Sequence, residues 1–253
     1  LLKCEQGLGD TIQFCRYTKL LIKLKAKVIL EVQKPLYNFL KQLEPNIKII
    51  CQGDIIDFDY YCPLLSLPYL FKTELENIPY NNSYLKADSK KSFTSVNLNN
   101  KIFKIGLAFS GNHEYENSLN RDISFEKISE ILSNKFEYFC IQKDVNETDL
   151  KGLSTSKNIN WPIEYISEDI GNTAALISKM DIIVTVDTSL AHLSAAMGIK
   201  TWILLPYNND WRWMKNKSYS PWYSSVKIFR QAKLGVWDNV IIKVKEELNL
   251  IKK

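Results

Sequence analysis

The chain has 253 residues, enough for one large domain or two ordinary ones, and its 45% hydrophobic and 24% charged content is that of a globular protein, not a disordered one. The net charge of +5 favours phosphate-bearing small molecules, but the basic residues are not clustered as a nucleic-acid-binding surface requires. No apolar run reaches membrane-spanning length and no signal peptide is visible.

In chain order, residues 1–5 read as a strand, 6–10 as a glycine-containing turn and 11–25 as an amphipathic helix with a basic outer face. Gly7 and Gly9 let the backbone of this turn approach a ligand or fold tightly. Asp10, with Gln13 three residues on, resembles a capping box. Val28–Val32 is the next strand, residues 35–43 a helix, and Ile47–Cys51 and residues 58–62 two further strands. Pro63, Pro68 and Pro79 punctuate the segment after them. Residues 77–101, rich in Asn, Ser and Lys and without periodicity, read as a linker and boundary. The chain opens at Leu1 inside a strand-like run, so it is expected to be a fragment. Its five cysteines form no C-x-x-C pair and its histidines number two, which argues against zinc. They read as buried thiols in a reducing, cytoplasmic compartment.

The second half restarts with a strand over 102–109 that runs into Ser110, Gly111 and Asn112, followed by a polar stretch to residue 122. A helix over 125–132, a strand over 136–142, a short helix or loop over 146–153 and a helix over 171–179 lead to DIIVTVDTSLAHLSAAMGIKTWILLP, residues 181–206. There a buried strand meets the turn Asp187-Thr188-Ser189, then a small apolar helix ended by Gly198, then the strand Thr201–Leu205. This is a βαβ unit with parallel strands. The turn lies beyond the strand's carboxyl end, where a helix N-terminus suits an anion, most simply nucleotide phosphates. Asp187 or Thr188 also fits a plain N-cap. His192, one helical turn beyond Thr188 on the same face, is either a hydrogen-bonded core residue or a ligand contact.

Residues 207–222 form a long aromatic loop around Trp211-Arg212-Trp213, Val226–Arg230 is the last strand and 236–250 a closing helix. Arg212 is placed for bidentate phosphate binding. The two indoles, sharing one face of an extended loop, either stack on a base or seal the hinge between domains. Arg230 and Lys3 read as surface or structural charges. Strands and helices alternate in two blocks without a solenoid repeat. The expected architecture is α/β: two doubly wound domains, 1–100 and 101–253, facing each other across a cleft, with the last helix packing back on the first domain.

EQGLGDTIQFCRY near the start, GLAFSGN in the middle, and VTVDTSLAHLSAAMG, DWRWM, SPWY and FRQ toward the end resemble glycosyltransferase family 9. Within it, the similarity is to heptosyltransferase-like domains that follow tetratricopeptide repeats in bacterial proteins, and it spans nearly the whole chain. The resemblance implies a GT-B fold of two Rossmann-like domains about a central cleft. The nucleotide sugar is held mainly by the C-terminal domain, and the acceptor, a glycan, lipopolysaccharide or protein, approaches the N-terminal one. It further implies a repeat domain upstream. Asp10 matches the aspartate that closes the family's G-x-G-D turn, the candidate general base, with Gly7 and Gly9 at the donor. Asp187, Thr188, Ser189 and His192 match its D-T-[SG]-x-x-H block at the donor site. Of its G-N-x-x-H-x-N-D-x-x-R pattern, Gly111, Asn112, Asn117 and Arg121 are present, while Tyr115 replaces His and Ser118 replaces Asp.

The resulting expectation is inverting, metal-independent glycosyl transfer without a cofactor, the nucleotide-diphosphate sugar serving as co-substrate. Asp10 takes the acceptor proton, the Thr188 and Ser189 amides with Arg121 or Arg212 carry the diphosphate, and Asp187 accepts hydrogen bonds from sugar or ribose hydroxyls. The alternative, suggested by Tyr115 and Ser118, is a non-catalytic nucleotide-sugar-binding module of a larger repeat-containing protein. A nucleotide-sugar epimerase needs more acid–base residues, and an oxidoreductase needs a G-x-G-x-x-G after a strand, which the chain lacks.

Overall fold

The computed structural model describes residues 1–43, 45–91, 93, 98, 101–112, 118–166 and 169–251. The first half holds β1 (Leu2–Lys3), α1 (Leu8–Phe14), α2 (Thr18–Lys23), β2 (Val28–Val32), α3 (Tyr37–Leu40), β3 (Ile47–Cys51), β4 (Cys62–Pro63) and α4 (Leu67–Leu70). The second holds β5 (Lys104–Ala108), α5 (Ser118–Arg121), α6 (Phe125–Ser129), β6 (Glu137–Cys140), α7 (Glu147–Thr155), α8 (Ile170–Ile177), β7 (Ile182–Val186), α9 (Ser189–Ala196), β8 (Thr201–Leu205), β9 (Val226–Arg230) and α10 (Asp238–Asn249). The strands form two sheets, β3-β2-β1-β4 and β6-β5-β7-β8-β9, with every pairing between these strands parallel. In each, the chain starts on an inner strand, winds to one side, then crosses to the other. That doubly wound order leaves a switch point between β1 and β4 and another between β5 and β7.

β5, β7 and β8 are buried at every residue, as befits central strands of a parallel sheet covered on both faces. One apolar core runs from Leu2, Ile12 and Leu30 of the first half into Ile183, Ala191, Ile203, Trp213 and Tyr223 of the second, so the halves share it. A second core lies on the other face of the five-stranded sheet and includes Val240, Ile241, Val244 and Leu248 of α10. Among the described residues, the buried side of the closing helix packs on its own sheet.

Several boundaries differ from the sequence reading. The helix expected over 11–25 starts at Leu8 and breaks into a 3₁₀ turn at Cys15–Tyr17. Side chains compete for the backbone there: Cys15 Sγ donates to Ile12 O, Arg16 Nε to Gln13 O at 2.7 Å and Thr18 Oγ1 to Cys15 O at 2.7 Å. Arg16 consequently turns inward and is fully buried, while Lys23 and Lys25 keep the outer face basic. Of the fourth expected strand only Cys62 pairs, the strand running Cys62–Pro63, and Tyr60 and Tyr61 are exposed. Cys51 and Cys62 are half-buried; Cys4, Cys15 and Cys140 are buried. Within the segment expected to be a linker, residues 81–85 form a strap. Tyr84 and Leu85 are buried in the shared core, their N–H groups both donate to Ala196 O at the end of α9, and Asn81 O accepts from Ser224 N. Gly198, in the left-handed region at φ 75°, ends α9 as expected.

Candidate active site

The turn after β1 is held from two sides. Gln6 adopts a left-handed conformation (φ 52°), and the Gln33 amide at the end of β2 donates to Gln6 O and Gly7 O while accepting from Thr11 Oγ1 at 2.8 Å. Gly7 is the N-cap of α1, and Asp10 reaches back so that its Oδ2 accepts from Gly7 N–H at 2.9 Å. Asp10 is thus the third residue of the helix in a capping arrangement with Gly7, not the cap itself paired with Gln13. Gly9 faces α9 so closely that a Cβ would stand 2.7 Å from His192 Cδ2.

The opposite wall comes from the carboxyl ends of β5, β6 and β7. Gln142 Oε1 accepts from Phe109 N and Ser110 N at 2.6 and 3.2 Å, fixing the chain that leads to Gly111 and Asn112. Gly111 packs under Thr188 and Arg121, with room for no Cβ between them. The buried Arg121 donates to Asp122 Oδ1 at 2.8 Å and to Asn112 O at 3.1 Å. After β7, Thr188 caps α9 by accepting from Leu190 N at 3.3 Å, which leaves Asp187 outside the capping role. The N–H groups of Thr188 and Ser189 belong to the first turn, where a helix supplies them no carbonyl.

Arg212 reaches across from the aromatic loop. Its Nη2 pairs with Asp10 Oδ1, its Nη1 with both oxygens of Asp210 at 3.0 and 3.1 Å, and its Nε with Gln13 Oε1 at 3.0 Å. Trp211–Trp213 is a 3₁₀ turn, so the indoles do not share a face. Trp213 is fully buried and stacks on His192 with ring centroids 5.1 Å apart, sealing the seam between the halves. Trp211 is exposed, lies edge-on to Trp222 and has the Arg212 guanidinium over its ring. Arg230 holds the loop by donating to Asn209 Oδ1, Trp213 O and Met214 O.

These elements enclose a cavity of about 740 Å³. Asp10, Gly7, Gly9, Gly111, Asn112, Arg121, Asp187, Thr188, Ser189, His192 and Arg212 all line it, from both halves. Tyr115 and Asn117 lie outside the described residues, and Ser118 is buried at the start of α5. Gln33, Gln142, Lys143 and Asp210 also line the cavity and were not read from the sequence. The first two are lone glutamines at strand ends that match no motif. Asp210, next to Arg212, could have been read as its ionic partner.

Burial pushes the Asp10 carboxyl above the ordinary carboxylate range, against the pull of Arg212 and of the Gly7 N–H. Burial raises Asp187 to about 6, opposed by the nearby Trp213 indole, which makes no direct hydrogen bond, and by Arg212 and Arg121. His192 is held down to about 3 by burial, with Arg212 and Arg16 adding to it, and its Nδ1 shares a 2.9 Å hydrogen bond with Tyr223 OH. It is therefore a neutral ring wedged between helices α1 and α9.

These shifts set how stability varies with pH. Between the ordinary histidine value of 6.5 and about 3, the unfolded chain binds a proton at residue 192 that the fold refuses. That contribution is complete above pH 6.5 and is lost as pH falls. Asp187 acts oppositely, since from about 6 down to 3.8 the fold binds the proton more readily than the unfolded chain. His192→Gln isolates the histidine. Between pH 7 and pH 5, wild type is expected to lose about 2 kcal/mol more than the variant in chemical denaturation. Equal losses would mean that His192 does not set the acid limb.

Residues 168–235 match the family model described as glycosyltransferase family 9 (heptosyltransferase). No curated protein matches the chain by sequence. Among solved structures, a family 9 glycosyl transferase from Veillonella parvula DSM 2008 superposes with a TM-score of 0.63 at 11% identity, over 96% of this chain and 90% of that one. The iron-containing dodecameric glycosyltransferase TibC from enterotoxigenic E. coli H10407 gives 0.61 at 11% identity, over 93% of this chain. The chain spans 62% of the length of TibC. E. coli heptosyltransferase WaaC with ADP-2-deoxy-2-fluoro heptose gives 0.56 at 9% identity, over 98% and 99%. The fold is the GT-B fold, with two Rossmann-like units about the cavity. Among the described residues no three His, Cys, Asp or Glu side chains converge as metal ligands, and no helix is long and apolar enough to cross a membrane.

Proposed function

We propose that the chain is a glycosyltransferase that moves a sugar from a nucleoside-diphosphate sugar to an acceptor hydroxyl, with inversion and without a metal. The observation that carries this reading is the convergence of Asp10 and the Asp187–Ser189 turn, from opposite halves, on one cavity. The family match over 168–235 includes that turn, and the sugar nucleotide named for WaaC supports the donor class.

Transfer needs a base for the acceptor hydroxyl and fixed donors for the departing diphosphate. Asp10, buried enough to favour accepting a proton, is the base. The Thr188 and Ser189 amides at the N-terminus of α9, with Arg121 beside them, meet the diphosphate. Asp187, an anion that repels phosphate, accepts hydrogen bonds from sugar or ribose hydroxyls. The acceptor, a glycan, lipopolysaccharide or protein, enters along the first half. A preceding repeat domain and a cytoplasmic location complete the proposal.

Incubation with a panel of nucleoside-diphosphate sugars, followed by detection of transferred or hydrolysed sugar, tests the reading; chelation of metals is expected to leave the rate unchanged. Tight binding with no sugar released would favour a non-catalytic binding module. Asp187→Ala should weaken nucleotide-sugar affinity about 10- to 100-fold in calorimetry, the worth of a hydrogen bond to a charged group. Unchanged affinity would move the donor elsewhere.

A further inference from the structure

We propose that Arg212 is a positioning residue for Asp10: with Asp210 behind it and Gln13 beside it, it carries the second half of the molecule onto the carboxylate of the first. The assignment rests on Asp10 being the base of the transfer proposed above.

The two Asp10 oxygens are set by groups from different halves. Oδ2 is held by Gly7 N–H of its own turn, and Oδ1 by the Arg212 guanidinium from the aromatic loop. A carboxylate oxygen has two acceptor sites, so Oδ1 keeps one for the acceptor hydroxyl while the guanidinium fixes its direction. Gln13 lies one helical turn beyond Asp10 on α1, and its Oε1 takes the Arg212 Nε–H. Helix α1 thus offers two acceptors to one planar fork, a registry that a single ion pair does not supply. The Gln13 amide makes this contact although its own Nε2 stays buried without a partner.

All three guanidinium nitrogens are engaged, and the side chain is 8% exposed. To contact a diphosphate, Arg212 would have to leave two carboxylates facing one another in a partly buried wall, which like charges resist. The aromatic packing fixes the Arg212 backbone: Trp213, the next residue, is stacked on His192, and Arg230 donates to Trp213 O and Met214 O. Orientation of the base is thereby tied to contact between the halves.

The test follows the Asp10 carboxyl itself by ¹³C NMR titration of the full chain, its signal identified by its absence in Asp10→Asn. Removing the cation by Arg212→Gln should raise the midpoint by about one pH unit or more, and Arg212→Lys should restore part of the shift. Asp210→Asn, which removes the neighbouring negative charge and keeps the cation, should move the midpoint the other way. A merely structural role would not give opposite signs. In the transfer reaction, the acid limb of the rate profile should rise with the midpoint in Arg212→Gln and kcat should fall, while affinity for ADP and UDP stays within about twofold. An unmoved Asp10 midpoint in Arg212→Gln overturns the assignment, as does a tenfold loss of diphosphate affinity with kcat retained, which would make Arg212 a phosphate ligand. If wild type transfers no sugar from any donor, the base role of Asp10 falls, and the titration still decides whether Arg212 holds that carboxyl.

Discussion

Asp10→Asn is expected to cut sugar transfer by ~10²–10⁴-fold, the usual worth of a positioned general base, while nucleoside-diphosphate affinity stays within about twofold. The substitution keeps an oxygen that can accept from Gly7 N–H and so leaves the start of α1 capped. It removes the charge that Arg212 meets and the basicity that the acceptor hydroxyl needs. Arg212 retains Asp210 and Gln13, so the loop stays in place and the remaining donor wall at Thr188 and Ser189 is untouched. The loss should therefore appear in kcat, with single-turnover kinetics locating it in the chemical step. Wild-type turnover in the variant would remove Asp10 from the mechanism.

Arg16→Met should destabilise the protein by about 3–5 kcal/mol, because several buried acceptors lose their donor at about 1–3 kcal/mol each. Arg16 is fully buried, and its hydrogen-bond partners are neutral: Gln13 O at 2.7 Å, Trp222 O at 2.7 Å and Tyr84 OH at 3.0 Å. The guanidinium also lies 4.6 Å from the ring centres of both Tyr84 and Tyr223. Its place is thus made by the first half, the strap and the loop of the second half together. Methionine fills most of the volume but leaves those acceptors facing an aliphatic chain. For a chain of this size the loss corresponds to a fall in Tm of roughly 6–20 °C. Hydrogen exchange should quicken in α1 and around residues 222–224 together, because one side chain joins them. A Tm within about 2 °C of wild type would show that Arg16 adds nothing to the joining of the halves.

Much of the fold was legible because its signals are local. The runs IIVTV and TWILL could only be buried strands, and the turn after the first of them begins a helix whose end Gly198 marks. Side chains at the carboxyl ends of parallel strands gather wherever the topology puts a switch point, which is why eleven residues named from three separated motifs and one loop line a single cavity. What failed was the reading of segments whose conformation is set by distant partners. The break in the first helix comes from side chains bonding back to carbonyls, and nothing in residues 14–18 forbids a continuous helix. The strap over Tyr84 and Leu85 has no period because its backbone bonds to the end of α9, more than a hundred residues away.

By itself the sequence determined the two α/β blocks, the polar turns at Asp10 and Asp187, and the chemical kinds of group available there. Those are properties of strand and helix periodicity and of residue type. The tertiary structure alone decided that Arg212 faces Asp10, that His192 is a neutral wedge against Gly9, and that Arg16 closes the seam. Each depends on which side chain from one half meets which from the other, and that pairing is set by the packing of a shared core.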